Sequence, residues 1–131
     1  MASPCYGDLH GAEISANYNG GPDTWFTPNG KTGANYSTLG NPGVGKAIYR
    51  YHNAQEPGTL WFHDHTLGAT RTNVFAGLAG FYLIRGPETE PKDLPSGAYE
   101  IEMAIQDREF DTKASCTFQM KSPSRRILSG W

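Results

Sequence analysis

Two histidines separated by one residue are the part of this sequence best suited to do chemistry. His63 and His65 lie in a run, residues 59–65, whose composition favours a β-strand. Because side chains alternate across a strand, both imidazoles must share one face, together with Trp61. Imidazole is a common neutral metal ligand, and a strand fixes the direction of both rings. The pair therefore predicts a metal site, with packing against aromatic rings as the structural alternative.

A metal site needs more than two ligands, and His10 is the best further candidate. It precedes Gly11, which allows a turn and close backbone approach at the end of a strand. His52 has no partner pattern, and we expect it to be exposed at a strand end. Asp64 points away from its histidine neighbours in a regular strand, so we expect Asp64 and Trp61 to support the ligands rather than bind metal, Asp64 through hydrogen bonds.

Other kinds of site fit the sequence less well. Residues 40–47 follow the spacing of a phosphate-binding loop, but Ala47 replaces the hydroxyl that would hold magnesium, and a strand-like run follows. No Ser-His-Asp or Cys-His arrangement indicates nucleophilic catalysis. A net charge of -2 makes nucleic acid an improbable partner, and no apolar stretch approaches the length of a membrane span.

The composition indicates one small β-rich domain with many loops. The chain has 131 residues, of which 16 are glycine and 9 proline, and only 37% are hydrophobic. Cys5 and Cys116 could form one disulfide, but we favour two free thiols because both lie near the ends of the chain. The first residues carry neither a basic nor an apolar segment, so we expect no export signal within the chain as written.

Short runs that alternate or are continuously apolar predict about four strands. These are residues 46–52, 59–65, 81–85 and 99–106, the last with one wet face, while residues 66–75 favour a helical turn or two. Residues 17–45 predict a long irregular excursion, which contains the glycosylation sequon Asn35-Tyr36-Ser37. A closed sandwich needs about seven strands. The predicted sheet is therefore incomplete.

Three segments in order carry a family resemblance. With Leu9-His10-Gly11, the run from Gly58 to His65 and the run from Arg71 to Tyr82, the chain resembles the first cupredoxin domain of a multicopper oxidase, in the bilirubin oxidase and spore-coat laccase branch. The resemblance implies an all-β, partial cupredoxin-like Greek-key β-sandwich with long loops. It also suggests an irregular N-terminus at residues 1–7, a truncated cupredoxin domain at 8–113, and a loose or non-family tail at 114–131.

The resemblance further implies copper ligands. His63 and His65 would each bind one copper of the binuclear type 3 pair in a trinuclear cluster, and His10 would join His63 on the same copper. The family's first pair normally reads His-Leu-His-Gly, whereas this chain has Asp8-Leu9-His10-Gly11. Asp8 thus stands at the position of the type 2 copper ligand. It is either a changed ligand or the point where a foreign N-terminus is joined.

The family's His-Cys-His motif, which builds the type 1 electron-entry copper, does not occur in this sequence. We therefore expect a truncated piece, or a gene model with wrong ends. The resemblance implies a parent that oxidises phenolic or pyrrolic donors one electron at a time and reduces dioxygen to water. For the chain itself we expect weak copper binding without turnover.

Two alternatives remain open at this point. The chain could be a non-catalytic module that holds copper or zinc, or pairs its open sheet edges with a partner. It could also be a fragment that does not fold alone. Family members are often extracellular, but the sequence leaves the compartment open.

Overall fold

A computed structural model describes residues 4–19 and 21–117. Its strands are β1 (Gly7–His10), β2 (Gly58–Asp64), β3 (Ala79–Ile84), β4 (Glu109–Phe110) and β5 (Cys116–Thr117), and its helices are α1 (Thr70–Phe75) and a 3-10 turn at Gly97–Tyr99. Strands outnumber helices and all pair antiparallel. The predicted all-β, partial cupredoxin-like fold is confirmed.

The main sheet has three strands in the order β1-β2-β3, with the histidine-bearing strand β2 in the centre. Asp8 of β1 lies opposite His63, and His63 lies opposite Ala79 of β3. Because β2 pairs on both sides, its backbone is held in register over its whole length. The direction of the His63 side chain is therefore set by two neighbouring strands.

Packing behind the sheet is tight at a few positions. Leu9 is 1% exposed and Tyr6 is 6% exposed, and together they are the buried apolar residues of the described chain. On β3, a Cβ atom at Gly80 would lie 2.7 Å from the Phe62 ring. A glycine there lets the Phe62 ring lie directly over the neighbouring strand.

The irregular excursion predicted for residues 17–45 is confirmed in the part that the structure describes. It contains isolated bridges but no helix or longer strand. Phe26 forms bridges with both Cys5 and Thr32, and these contacts tie the excursion to the chain just before β1. The sequon within it stays a prediction.

Three predicted elements are confirmed with small shifts. The strand expected at residues 59–65 is β2, the strand expected at 81–85 is β3, and the helical turns expected within 66–75 are α1. The N-terminal turn of α1 has no side-chain cap.

The strand predicted for residues 46–52 is wrong. The structure assigns no strand there, and the segment packs instead through its tyrosines: the Tyr49 ring lies 5.6 Å from that of Tyr6 and 6.3 Å from that of Tyr51. Its alternation therefore reflects ring packing rather than a hydrogen-bonded ladder. His52 is exposed as expected, but it does not end a strand.

The half-buried strand predicted for residues 99–106 is also wrong. This segment has no strand assignment, and its four alternating apolar residues are all exposed: Tyr99, Ile101, Met103 and Ile105. Alternation alone does not make a strand, because a strand also needs a partner for its backbone groups. Within the described residues, no strand pairs with it.

The remaining predictions concern the two ends of the chain, and only some of them fall on described residues. Cys5 carries a free thiol, while the Cys116 side chain lies outside the described residues, as does most of the tail predicted at 114–131. The described helices include none with the length and apolar character that crossing a membrane requires.

Candidate metal centre

The candidate ligands converge because of strand register. Asp8 and His10 lie two residues apart on β1, and Trp61 and His63 lie two residues apart on β2. Asp8 faces His63 and His10 faces Trp61 across the ladder. Directly opposed side chains of an antiparallel pair lie close together on the same face. The four side chains therefore form one patch.

The His63 ring is fixed by two contacts. Its Nδ1 atom lies 2.8 Å from the backbone carbonyl oxygen of Asp64, so Nδ1–H donates and the lone pair is on Nε2. The Trp61 ring stacks against it, with centroids 4.2 Å apart and planes at 29°. His63 is 6% exposed. A buried, oriented imidazole whose lone pair is on Nε2 is the form that binds metal.

Two further ligand atoms lie near that lone pair. His63 Nε2 is 3.4 Å from His10 Nδ1 and 3.6 Å from Asp8 Oδ2, and Asp8 Oδ2 is 3.8 Å from His10 Nδ1. Asp8, His10 and His63 thus form a group that could hold a metal ion. The side chain of His10 is 61% exposed, which leaves one side of the group open to solvent.

Asn19 holds the Asp8 carboxylate in place. Its Nδ2 donates to Asp8 Oδ1 at 2.5 Å, and its Oδ1 accepts a hydrogen bond from the Leu9 N–H at 2.9 Å. The other carboxylate oxygen, Oδ2, is thereby turned to the histidines. Sequence patterns did not identify Asn19 as part of the site, because it lies in an irregular segment where no periodicity relates it to β1.

His65 lies beside the group but not within it. Its ring centroid is 5.5 Å from that of His63, edge to face. Its Nδ1 atom is buried without a hydrogen-bond partner among the described residues. A buried polar atom without a partner costs about 1–3 kcal/mol. Imidazole nitrogen is a ligand that suits copper, and this unpaired nitrogen lies beside the group of Asp8, His10 and His63.

Comparison with known proteins decides the family. The multicopper oxidase family model matches residues 8–89. The chain belongs to the multicopper oxidase family. It is 40% identical to a laccase of Bacillus stratosphericus over 78% of this chain, 40% identical to the multicopper oxidase LPR1 homolog 5 of Oryza sativa subsp. japonica over 82%, and 38% identical to the multicopper oxidase LPR1 of Arabidopsis thaliana over 94%.

The chain spans about a fifth of the length of these multicopper oxidases, which is 19%, 16% and 20% of the respective relatives. The match begins at Asp8 and includes all the candidate ligands. The structure brings Asp8, His10 and His63 together, places His65 next to them, and leaves His52 exposed outside the group.

Asp64 makes hydrogen bonds through its backbone and its side chain separately. Its carbonyl oxygen accepts the hydrogen bond from His63 Nδ1. Its carboxylate accepts hydrogen bonds from the N–H of Tyr6 at 2.8 Å, the N–H of Thr66 at 3.1 Å and the hydroxyl of Thr66 at 3.0 Å. Asp64 therefore joins the residue before β1 to the turn that follows β2.

The histidines open into a cleft of 880 Å³. One wall is α1, through residues that include Thr70, Val74 and Phe75, and another is the segment 104–108, which is exposed except at Arg108. Volumes of this order accommodate small organic ligands. The cleft gives the cluster a route to solvent and to small molecules.

Proposed function

We propose that residues 8–113 form the copper-binding part of a multicopper oxidase. In this proposal His63 and His65 each hold one copper of a type 3 pair, His10 joins His63, and Asp8 stands at the type 2 position of a trinuclear cluster. Bound copper supplies one-electron redox chemistry and reactivity toward dioxygen. The protein supplies the ligands and their orientation.

One observation carries the proposal: His63 donates through Nδ1 and presents Nε2 to His10 Nδ1 at 3.4 Å. Two ligands at about 2.0–2.1 Å from one tetrahedral ion lie about 3.3–3.4 Å apart. The separation of the two nitrogens thus supports a shared ion. Trp61 stacks on the His63 ring and excludes water from that side of it.

The complete enzyme, on this proposal, oxidises phenolic or pyrrolic donors and reduces dioxygen to water. The family membership and the open cleft beside the histidines support this reading. The sequence has no His-Cys-His motif for a type 1 copper. We therefore propose that the 131-residue chain binds copper incompletely and does not turn over by itself.

The test combines copper binding with an activity assay. The purified chain is dialysed against Cu(II), its copper content is measured, and dioxygen uptake is followed with a phenolic dye. A Cys5→Ser, Cys116→Ser variant run in parallel removes thiols that bind or reduce copper. We expect copper retention without dye oxidation. A chain that retains no copper, or one that oxidises the dye with dioxygen uptake, would contradict the proposal.

A further inference from the structure

The aspartate that replaces a histidine is the starting point. Asp8 Oδ2, His10 Nδ1 and His63 Nε2 form a triangle with sides of 3.4, 3.6 and 3.8 Å. The three sides differ by only a few tenths of an ångström. No pair of these atoms is markedly closer to each other than to the third atom.

Such a triangle matches the ligand shell of one ion. With metal-ligand bonds of about 2.0–2.2 Å, two ligands of a tetrahedral ion lie about 3.3–3.6 Å apart. All three separations are at or just beyond this range. Two histidines and one carboxylate with an open fourth position form a known type of metal site.

The electrostatics of the group also favour a cation. Asp8 Oδ2 and the His63 Nε2 lone pair face each other at 3.6 Å, and neither atom carries a hydrogen to donate when His63 donates through Nδ1. Asn19 prevents the carboxylate from turning away, because it holds Oδ1. The Asp8 side chain is 13% exposed, so water screens it only partly.

We propose that Asp8, His10 and His63 bind one and the same first-row divalent ion, with Asp8 a direct ligand of that ion instead of a separate type 2 copper. The inference rests on the proposed function, in which His10 and His63 share a copper. His65 lies outside the triangle, and its ring is 5.5 Å from that of His63. The aspartate thus adds a third ligand to the ion that His10 and His63 share.

The test measures Cu(II) binding to the full chain by calorimetry and electron paramagnetic resonance. Asp8→Asn keeps the shape but removes the charge, and Asp93→Asn is a matched control at an exposed aspartate. Circular dichroism of each variant checks that it folds. We expect one equivalent of Cu(II) with the signal of an isolated ion.

The variants separate the possible outcomes. We expect Asp8→Asn to weaken binding of the first equivalent at least about tenfold, while Asp93→Asn leaves it unchanged. Unchanged binding in Asp8→Asn would overturn the inference and leave the proposed function standing. A coupled pair without a resonance signal would also overturn it. Absence of any copper binding would overturn both.

Discussion

The carboxylate of Asp64, the last residue of β2, accepts a hydrogen bond from the backbone N–H of Tyr6 at 2.8 Å. The two residues are 58 positions apart, and Tyr6 directly precedes β1. The same carboxylate binds Thr66, which is 1% exposed. The acid between the two histidines is therefore a structural anchor that aligns β1, and with it Asp8 and His10, against β2.

Removal of this anchor should destabilise the fold. Asp64→Ala leaves the buried N–H of Tyr6 without its acceptor, and we expect a loss of about 1–3 kcal/mol in the free energy of unfolding. Urea denaturation followed by circular dichroism measures it. Asp93→Ala, at an exposed position, should change the stability by less than about 0.5 kcal/mol. Equal stability of the two variants would show that the Asp64 contacts contribute nothing.

Asn19 should affect the metal site through Asp8. Asn19→Ala frees the carboxylate to rotate and removes the acceptor of the Leu9 N–H, so we expect about tenfold weaker copper binding. Asn17→Ala is the matched control, since the Asn17 side chain is exposed. Isothermal titration with Cu(II) compares them. If Asn19→Ala binds copper as tightly as the Asn17 variant, the carboxylate needs no positioning.

Trp61 should report copper binding optically. Its ring stacks on His63 at 4.2 Å, so Cu(II) bound by His63 should quench the Trp61 fluorescence. We expect Trp61→Phe to lose most of the quenching and Trp25→Phe to keep it. A copper-dependent loss of emission that survives in Trp61→Phe would place the ion elsewhere.

The tyrosine cluster predicts a dependence of stability on alkaline pH. Burial, followed by the charges of Tyr6, Asp8 and Tyr82, raises the pKa of Tyr51 to about 12, and burial also raises the pKa of Tyr49. Because the folded state favours the neutral phenols, their contribution is fully present below the ordinary tyrosine pKa of 10.0 and is lost as the pH rises toward about 12.

Denaturant unfolding measured between pH 9 and 12 checks this expectation. The range spans the ordinary tyrosine pKa of 10.0 and the raised pKa of Tyr51, about 12. Tyr51→Phe should show a shallower loss of stability across that range than the unmodified chain. Tyr99→Phe, where the side chain is 84% exposed, should behave like the unmodified chain. Identical slopes in all three proteins would refute the role of burial at Tyr51.

Local pattern predicted the central elements of this fold, but it failed where tertiary pairing decides. Residues 59–65 and 81–85 alternate or are apolar and do form β2 and β3. Residues 99–106 alternate more clearly, yet they remain unpaired within the described chain and their apolar side chains are exposed. Period-two alternation records which side chains could be buried, and only a partner strand can bury them.

The residues of the candidate site, like the elements of the fold, could be predicted from the sequence only in part. The alternation rule placed His63 and His65 on one side, and the family resemblance added His10 and Asp8. Spacing did not reveal that Asp8 lies directly opposite His63, because cross-strand register is a long-range property. It also gave no sign of Asn19, which reaches Asp8 from an irregular loop.

The central claim is that His63 and its neighbours bind copper, and a calorimetric comparison of His63→Ala with His52→Ala tests it most directly. His52 is exposed and lies outside the ligand group, so its variant is the matched control. The account predicts that His52→Ala binds Cu(II) like the unmodified chain, while His63→Ala binds it at least about tenfold more weakly. Equal copper affinity of the two folded variants would contradict it.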